Sequence, residues 1–411
     1  MLTRIHPKLI FAFLLGWIYV MYEYAVRVSD SVILPQLQHS LHISALQIGL
    51  LSSVYYFSYV LWMIPAGIII DRLGLYRAWV ISLSLLIVGC VLFALRIDFG
   101  LMLVARIMMG IGSSYALIGV FAMAVSRPNT GILIGITMAI LNLGGVVGQG
   151  PWLQVTYWLG NWTVTYWAAA VFGFLLLFFW FIFGDNLAKE TTVKRNYADI
   201  LATFKALFTS RVFWFLAIFV GALCTPQSAF MALWGPRYLA LAYHVSATIA
   251  AYINSAIAIG SIAGGVAFGL LFDKCKYIRS VLILSGILTV ILMIMIMEAW
   301  FQSEAIIESL MLLIGFITTA NVMVFAIMGK NFYMHSRNTV QGATSMVNAG
   351  GGPVMQLVVG LLIVMQVKQI GDQLTLPVMH NALWSIPIVI AAATILLFFL
   401  PKLTHEATTK A

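Results

Sequence analysis

The sequence predicts an all-α membrane protein with twelve transmembrane helices in two pseudo-symmetric six-helix bundles. Hydrophobic residues make up 62% of the 411 residues and charged residues only 9%. A soluble domain carries roughly 25% charged residues, so this composition cannot build a water-facing surface and lipid is its natural solvent. The apolar residues gather into twelve runs, each close to the ~20 residues needed to cross a bilayer. Two motifs also recur in order. Residues 67–77 (GIIIDRLGLYR) return as 269–279 (GLLFDKCKYIR), an offset of 202, and 142–151 (NLGGVVGQGP) return as 348–353 (NAGGGP), an offset of 206. Two motifs at nearly one offset argue for duplicated halves.

The runs are placed at 9–33, 45–70, 77–95, 100–125, 131–156, 163–184, 212–238, 246–271, 279–298, 305–329, 338–366 and 379–400. The first carries no small-residue cleavage motif and reads as a retained helix. Glu23, Arg27 and Asp30 lie in it. The second holds Tyr55, Tyr56 and Tyr59, the fourth Arg106, the seventh Gln227 and Trp234, the eighth Tyr252 and Asn254, the tenth Asn321, and the eleventh Gln341, Asn348 and Gln356. Pro65, Pro151, Pro226, Pro353 and Pro387 are expected to kink or end helices. Gly-x-x-x-Gly pairs at Gly144 and Gly148, Gly260 and Gly264, and Gly265 and Gly269 predict close helix approach.

The longest hydrophilic stretch, 185–211, separates an N-terminal bundle (1–184) from a C-terminal one (212–411). Within it Ile200, Leu201, Phe204, Leu207 and Phe208 share a helical face, which predicts a short amphipathic helix on the inner membrane surface. The net charge of +9 comes largely from short loops. With the N-terminus inside, seventeen Lys and Arg residues fall on inner segments and three on outer ones. That asymmetry predicts cytoplasmic termini and offers no reason to invoke nucleic acid. Three scattered cysteines, Cys90, Cys224 and Cys275, form no disulfide framework.

These residues resemble the major facilitator superfamily. Its loop signature Gly-x-x-x-Asp-Arg-x-Gly-Arg-Arg is matched by Gly67, Asp71, Arg72, Gly74 and Arg77, with Tyr76 replacing one basic residue. The second copy keeps Gly269, Asp273, Lys274 and Arg279 but lacks the later glycine. A helix-four motif, Arg-x-x-x-Gly-x-Gly, is matched by Arg106, Gly110 and Gly112. Helices one and two resemble the phagosomal nutrient transporters of intracellular bacteria, which import amino acids or nucleosides. Tyr24 and Arg27 are also similar to a Tyr-x-x-Arg pattern of organic-anion transporters, although helix seven offers only Arg237 as a second cation. The resemblance implies a bacterial inner-membrane transporter, multi-pass, working as a monomer by alternating access, with a cavity lined in part by helices one and four.

A charge within the bilayer costs at least ~2.5–3.5 kcal/mol on insertion scales, so the helix-one charges call for a reason. Glu23 and Arg27 are four apart and share a face. Arg27 is expected to bind a substrate carboxylate through its planar fork, or else simply to neutralise an acidic neighbour. Burial favours the neutral form of a carboxylate and a nearby guanidinium the charged one. Substrate arriving at Arg27 would therefore favour proton uptake by Glu23, the principal coupling candidate, with Asp30 and Arg106 beside it. Candidate substrate contacts are Tyr24, Arg27, Tyr55, Tyr59, Gln227, Trp234, Tyr252, Asn321 and Asn348. Gly67, Asp71, Arg72, Arg77, Asp273, Lys274 and Arg279 are expected to latch an inner gate.

The sequence contains no phosphate-cradling Gly-x-x-x-x-Gly-Lys loop, no serine nucleophile elbow and no histidine spacing suited to a metal. The expectation is thus a non-enzyme without cofactor whose partners are a small solute, protons and the lipid bilayer. Import of a small carboxylate-bearing solute, an amino acid or organic anion, is the favoured reading. The alternative is an exporter of drugs or siderophores, which would have little use for Arg27.

Overall fold

The computed structural model describes residues 7–41, 45–125, 127, 129–188, 202, 205–331, 333–370 and 375–400. Among them, twelve helical stretches are long and apolar enough to cross a membrane. Helices prevail because hydrocarbon offers backbone N–H and C=O groups no partner outside the segment itself.

The first four spans belong to α1 (Pro7–Leu41), α2 (Ala45–Leu73), α3 (Leu75–Leu95) and α4 (Phe99–Val125). The fifth is α5 (Thr130–Val147) with α6 (Gly150–Leu159), and the sixth is α7 (Trp162–Ala188). The seventh joins α8 (Arg211–Leu223), a π-helical segment (Pro226–Trp234) and α9 (Gly235–Ala242). Then come α10 (Ala247–Lys274), α11 (Ile278–Met297), α12 (Glu304–Thr318) with α13 (Asn321–Asn331), and α14 (Tyr333–Ile370). The last span is α15 (Leu376–Leu383), α16 (Ser385–Leu396) and a closing 3₁₀ turn. Ser210 and Ser246 cap α8 and α10 by accepting from the amides of Phe213 and Ile249, at 3.3 and 3.2 Å.

The interruptions have local causes. Pro151 sits in the first turn of α6, where its missing N–H costs nothing. Pro226 opens the π-helical segment, and Pro236 lies in the first turn of α9. Pro387 falls in the first turn of α16. Pro65 and Pro353, by contrast, end nothing: each stands inside a continuous helix. Of the expected amphipathic helix at 197–208, residues 197–201, 203 and 204 lie outside the described residues, and 205–209 are helical.

Two compact units form. One comprises residues 1–128, 140–205 and 332–346, the other 129–139, 206–331 and 347–411. In the first unit α4 packs between α2 and α3, and the fully buried rings of Tyr19, Tyr55, Tyr59, Trp79, Tyr115 and Trp180 fill the core. In the second, α10 packs along α12, and Phe213, Phe230 and Tyr238 are wholly buried.

Glycine permits the tightest of these contacts. A Cβ on Gly110 of α4 would overlap Ser58 Oγ and lie 2.5 Å from the Tyr55 carbonyl oxygen on α2. Neither the backbone nor the packed tyrosine can yield cheaply. Gly110→Ala is expected to destabilise by ~1–3 kcal/mol, the usual cost of overpacking, and a thermal melt of the purified protein reads this as a lowered Tm.

Candidate functional site

The first unit gathers charge around the middle of α1. Glycines make the setting possible: Gly144 of α5 and Gly148, just past its end, lie against the backbone of Met21 and Ala25, with no room for a Cβ at either position. That close approach fixes the α1 turns on which Glu23 and Arg27 sit.

Glu23 is fully buried and Arg27 is 6% exposed. One guanidinium nitrogen of Arg27, Nη2, donates to both carboxylate oxygens of Glu23 at 2.7 Å. The guanidinium lies 3.6 Å from the centre of the Tyr59 ring and 4.7 Å from that of Tyr24. A desolvated cation over a phenol face gains on the order of 2 kcal/mol, so the cation is held from two sides besides its carboxylate. Arg27 Nε is buried and bonded to nothing among the described residues.

A second layer supports the pair. The Tyr55 hydroxyl donates to the Glu23 backbone carbonyl at 3.5 Å and lies 2.5 Å from the Ser113 hydroxyl of α4. Arg106, fully buried, donates from Nε to the Leu51 carbonyl at 3.2 Å and lies 4.5 Å from the Tyr55 ring centre. Arg106 thereby ties α4 to α2 behind the ring that faces Glu23. The structure thus brings together Glu23, Tyr24, Arg27, Tyr55, Tyr59 and Arg106. It adds Ser113, whose only sequence signal was a small polar residue one position after Gly112 in an apolar run. The Asp30 side chain lies outside the described residues.

Among the described residues, the buried polar side chains of the second unit carry no charge. Its π-helical segment carries Gln227 and Trp234, both half-buried. A π turn leaves carbonyls without their usual amides, and Asn254 Nδ2 takes one of them, Met231 O, at 2.9 Å. Gln356 Nε2 donates to Ser228 O at 2.7 Å. Asn254, Asn321 and Asn348 each keep a buried side-chain oxygen without a hydrogen-bond partner among the described residues, and the indole Nε1 of Trp234 is buried in the same way. Tyr252 is 72% exposed.

The two copies of the loop motif do different local work. Asp71, at the end of α2, accepts three hydrogen bonds: from Asn338 Nδ2 at 2.7 Å, the Thr339 amide at 2.9 Å and the Thr339 hydroxyl at 2.7 Å. Gly67 lets the α14 backbone at Asn338 approach, since any Cβ there would strike it. Asp273, at the end of α10, accepts from the amides of Gly131 and Ile132 at 2.9 and 3.0 Å. Those amides are orphan donors in the first turn of α5, and the helix dipole favours a carboxylate there. Arg279 is used elsewhere, donating to the carbonyls of Leu397 and Phe398 at the end of the last span. Arg72, Arg77 and Lys274 are exposed.

Comparison with known proteins follows the same lines. The family model described as Major Facilitator Superfamily matches residues 12–355. An uncharacterized transporter, YybO, of Bacillus subtilis (strain 168) is 35% identical over 82 residues, 20% of this chain and 18% of the relative. The hexuronate transporter of the same organism is 27% identical over 195 residues, 45% of this chain and 43% of the relative. The chain therefore spans less than half the length of the curated relatives it matches. Among solved structures, the transporter FucP in its outward conformation superposes with a TM-score of 0.70 at 17% identity, over 96% of this chain and 99% of that one. A double-tryptophan mutant of XylE also gives 0.70, at 13% identity over 97% of each chain. At these identities the likeness is one of fold.

Proposed function

The chain belongs to the Major Facilitator Superfamily, a family of multi-pass membrane transporters rather than enzymes, and from that membership we propose that it imports a small carboxylate-bearing solute together with protons. The observation that carries the proposal is the buried pair on α1. Arg27 is held between Glu23 and two phenol faces, while its Nε bonds to nothing among the described residues. A guanidinium is suited to planar, bidentate capture of a carboxylate. The hexuronate transporter to which part of the chain is similar acts on a sugar acid by name, which supports an organic anion as cargo. An amino acid satisfies the same geometry, and the likeness of helices one and two to phagosomal nutrient transporters favours it.

Coupling follows from charge balance. With Glu23 ionised the pair is neutral. A substrate carboxylate competing for Arg27 leaves Glu23 buried and without its cation, and burial of an isolated carboxylate favours its protonated form. One proton then enters with one carboxylate, and the loaded site is again neutral. The reading includes a bacterial inner membrane, cytoplasmic termini and a monomer.

The test is a thermal-shift panel of purified protein against amino acids, organic and sugar acids, nucleosides and neutral sugars, followed by uptake into vesicles with a pH gradient imposed in either direction. A ligand that binds the folded state raises Tm. Carboxylates alone should do so, and uptake should follow the inward proton gradient. Stabilisation by neutral solutes only, or efflux driven by the same gradient, would instead favour an exporter.

A further inference from the structure

We propose that His380 is a proton-operated switch at one end of the second unit, exchanging Trp384 for Glu298 as its partner when it gains a proton.

The cluster joins three spans. Tyr238 of α9 donates its hydroxyl proton to the Met297 carbonyl at the end of α11, at 2.6 Å. The same oxygen lies 3.2 Å from Nδ1 of His380 on α15. Because the Tyr238 proton is committed to Met297, the oxygen can only accept from His380, which places a proton on Nδ1. On the other side of the ring Trp384 Nε1 donates to His380 Nε2 at 3.0 Å, so Nε2 is bare. This is the neutral imidazole with both nitrogens satisfied.

Glu298, however, also faces Nε2, with Oε1 3.3 Å away. An ionised carboxylate and a bare ring nitrogen at that distance repel; an Nε2–H and a carboxylate attract. Indole N–H and carboxylate thus compete for one nitrogen, and the proton decides between them. On protonation, a proton from solvent bonds to Nε2, the Trp384 Nε1–H···Nε2 bond breaks, and Nε2–H donates to Glu298. Among the described residues, the remaining titratable or charged groups on the elements packed here are Arg237 and Tyr238 on α9, followed by Tyr243 and His244; the Lys368 side chain on α14 and Asp372 lie outside them. The Tyr243 hydroxyl is bonded to Ile296 O at 2.7 Å, while Arg237 and His244 are exposed. α16 carries no charged side chain.

The position gives the exchange a consequence. Trp384 is the residue between α15 and α16, so losing its bond to His380 frees the joint of the last span. Tyr238 follows directly on the π-helical segment of Gln227 and Trp234. Histidine changes charge between about pH 5 and 8, and the positive-inside orientation puts this end of the unit outside. The switch would therefore sense the acidity of the compartment from which the cargo is taken.

The experiment is NMR of the full-length protein in micelles, labelled with ¹⁵N-tryptophan, with the Trp384 indole resonance assigned through Trp384→Phe. From pH 8 to 5 the resonance should move along a single titration curve, as its hydrogen bond is lost. The movement should vanish in His380→Gln and persist in His244→Gln. Glu298→Gln, at a more exposed position, should leave the resonance in place at pH 8 and change its position at pH 5, where the protonated ring has lost its carboxylate partner. A Trp384 resonance that does not respond to pH, or an unchanged curve in His380→Gln, overturns the proposal. If His380→Gln does not fold, an unchanged pH 5 position of the resonance in Glu298→Gln overturns it equally.

Discussion

Arg27→Met should abolish uptake and cost the protein about 3–5 kcal/mol of stability, the penalty for stranding one member of a buried ion pair. The stability loss arises because Glu23, wholly buried, loses the cation bonded to both of its oxygens. Two companion variants separate structure from function. In Arg27→Met combined with Glu23→Gln the stranded charge is gone, so the melting temperature should recover much of its loss while uptake stays absent. Arg27→Lys retains the charge but loses the fork and most of the stacking on Tyr59, and should lower uptake at least about tenfold, a difference of ~1.4 kcal/mol. Glu23→Gln should behave differently again. It keeps a site for the substrate carboxylate, so exchange of labelled for unlabelled substrate should persist while accumulation driven by a pH gradient is lost. Gradient-driven accumulation that survives Glu23→Gln would remove the coupling role from this residue.

Asp71→Asn should have the next largest effect. Asp71 accepts three hydrogen bonds from two consecutive residues of α14, and bonds to a charged acceptor contribute about 1.5–3 kcal/mol each. The amide offers one oxygen where the carboxylate offered two, and its NH₂ group faces the NH₂ of Asn338. Residues 338–345 should therefore exchange backbone hydrogen at least about tenfold faster in the variant, with uptake reduced in parallel. Asp273→Asn should be milder: Asp273 is only half-buried and receives two backbone amides, for which an Asn oxygen is a fair substitute at a helix start. Equal exchange rates in wild type and Asp71→Asn would show that the carboxylate does not hold the α14 segment.

What could be read from the sequence follows from what lipid demands of it. The run predicted at 100–125 is found at Phe99–Val125 and that at 338–366 at Asn338–Gln366, because bilayer thickness sets a span's length. The breaks inside spans were less visible. Pro226 marked an interruption but not that a π-helical segment would fill it. The gap between α12 and α13, at Thr319 and Ala320, carries no proline or glycine at all. Pro65 shows the reverse, a breaker residue within an unbroken helix.

The candidate site shows the same division between local and distant information. The Glu23–Arg27 pair was legible because four residues make one helical face. That Tyr59 would be the ring beneath Arg27 was legible only as a residue type, since it depends on how α2 packs against α1. The partners of Asp71 lie 267 and 268 positions away, and nothing near Asp71 in the chain points to Asn338 or Thr339. Tyr252 was grouped with the lining residues as an aromatic within a span; its ring is exposed, whereas Asn254, two positions on, is buried.

The most direct test of the central claim is calorimetric titration of the purified protein with a sugar acid and with the neutral sugar of the same ring, in two buffers of different ionisation enthalpy. The account predicts that the acid binds, that the neutral sugar does not, and that the buffers report uptake of about one proton per acid bound in wild type and none in Glu23→Gln. Equal binding of acid and neutral sugar, or the same proton uptake in both proteins, would contradict it.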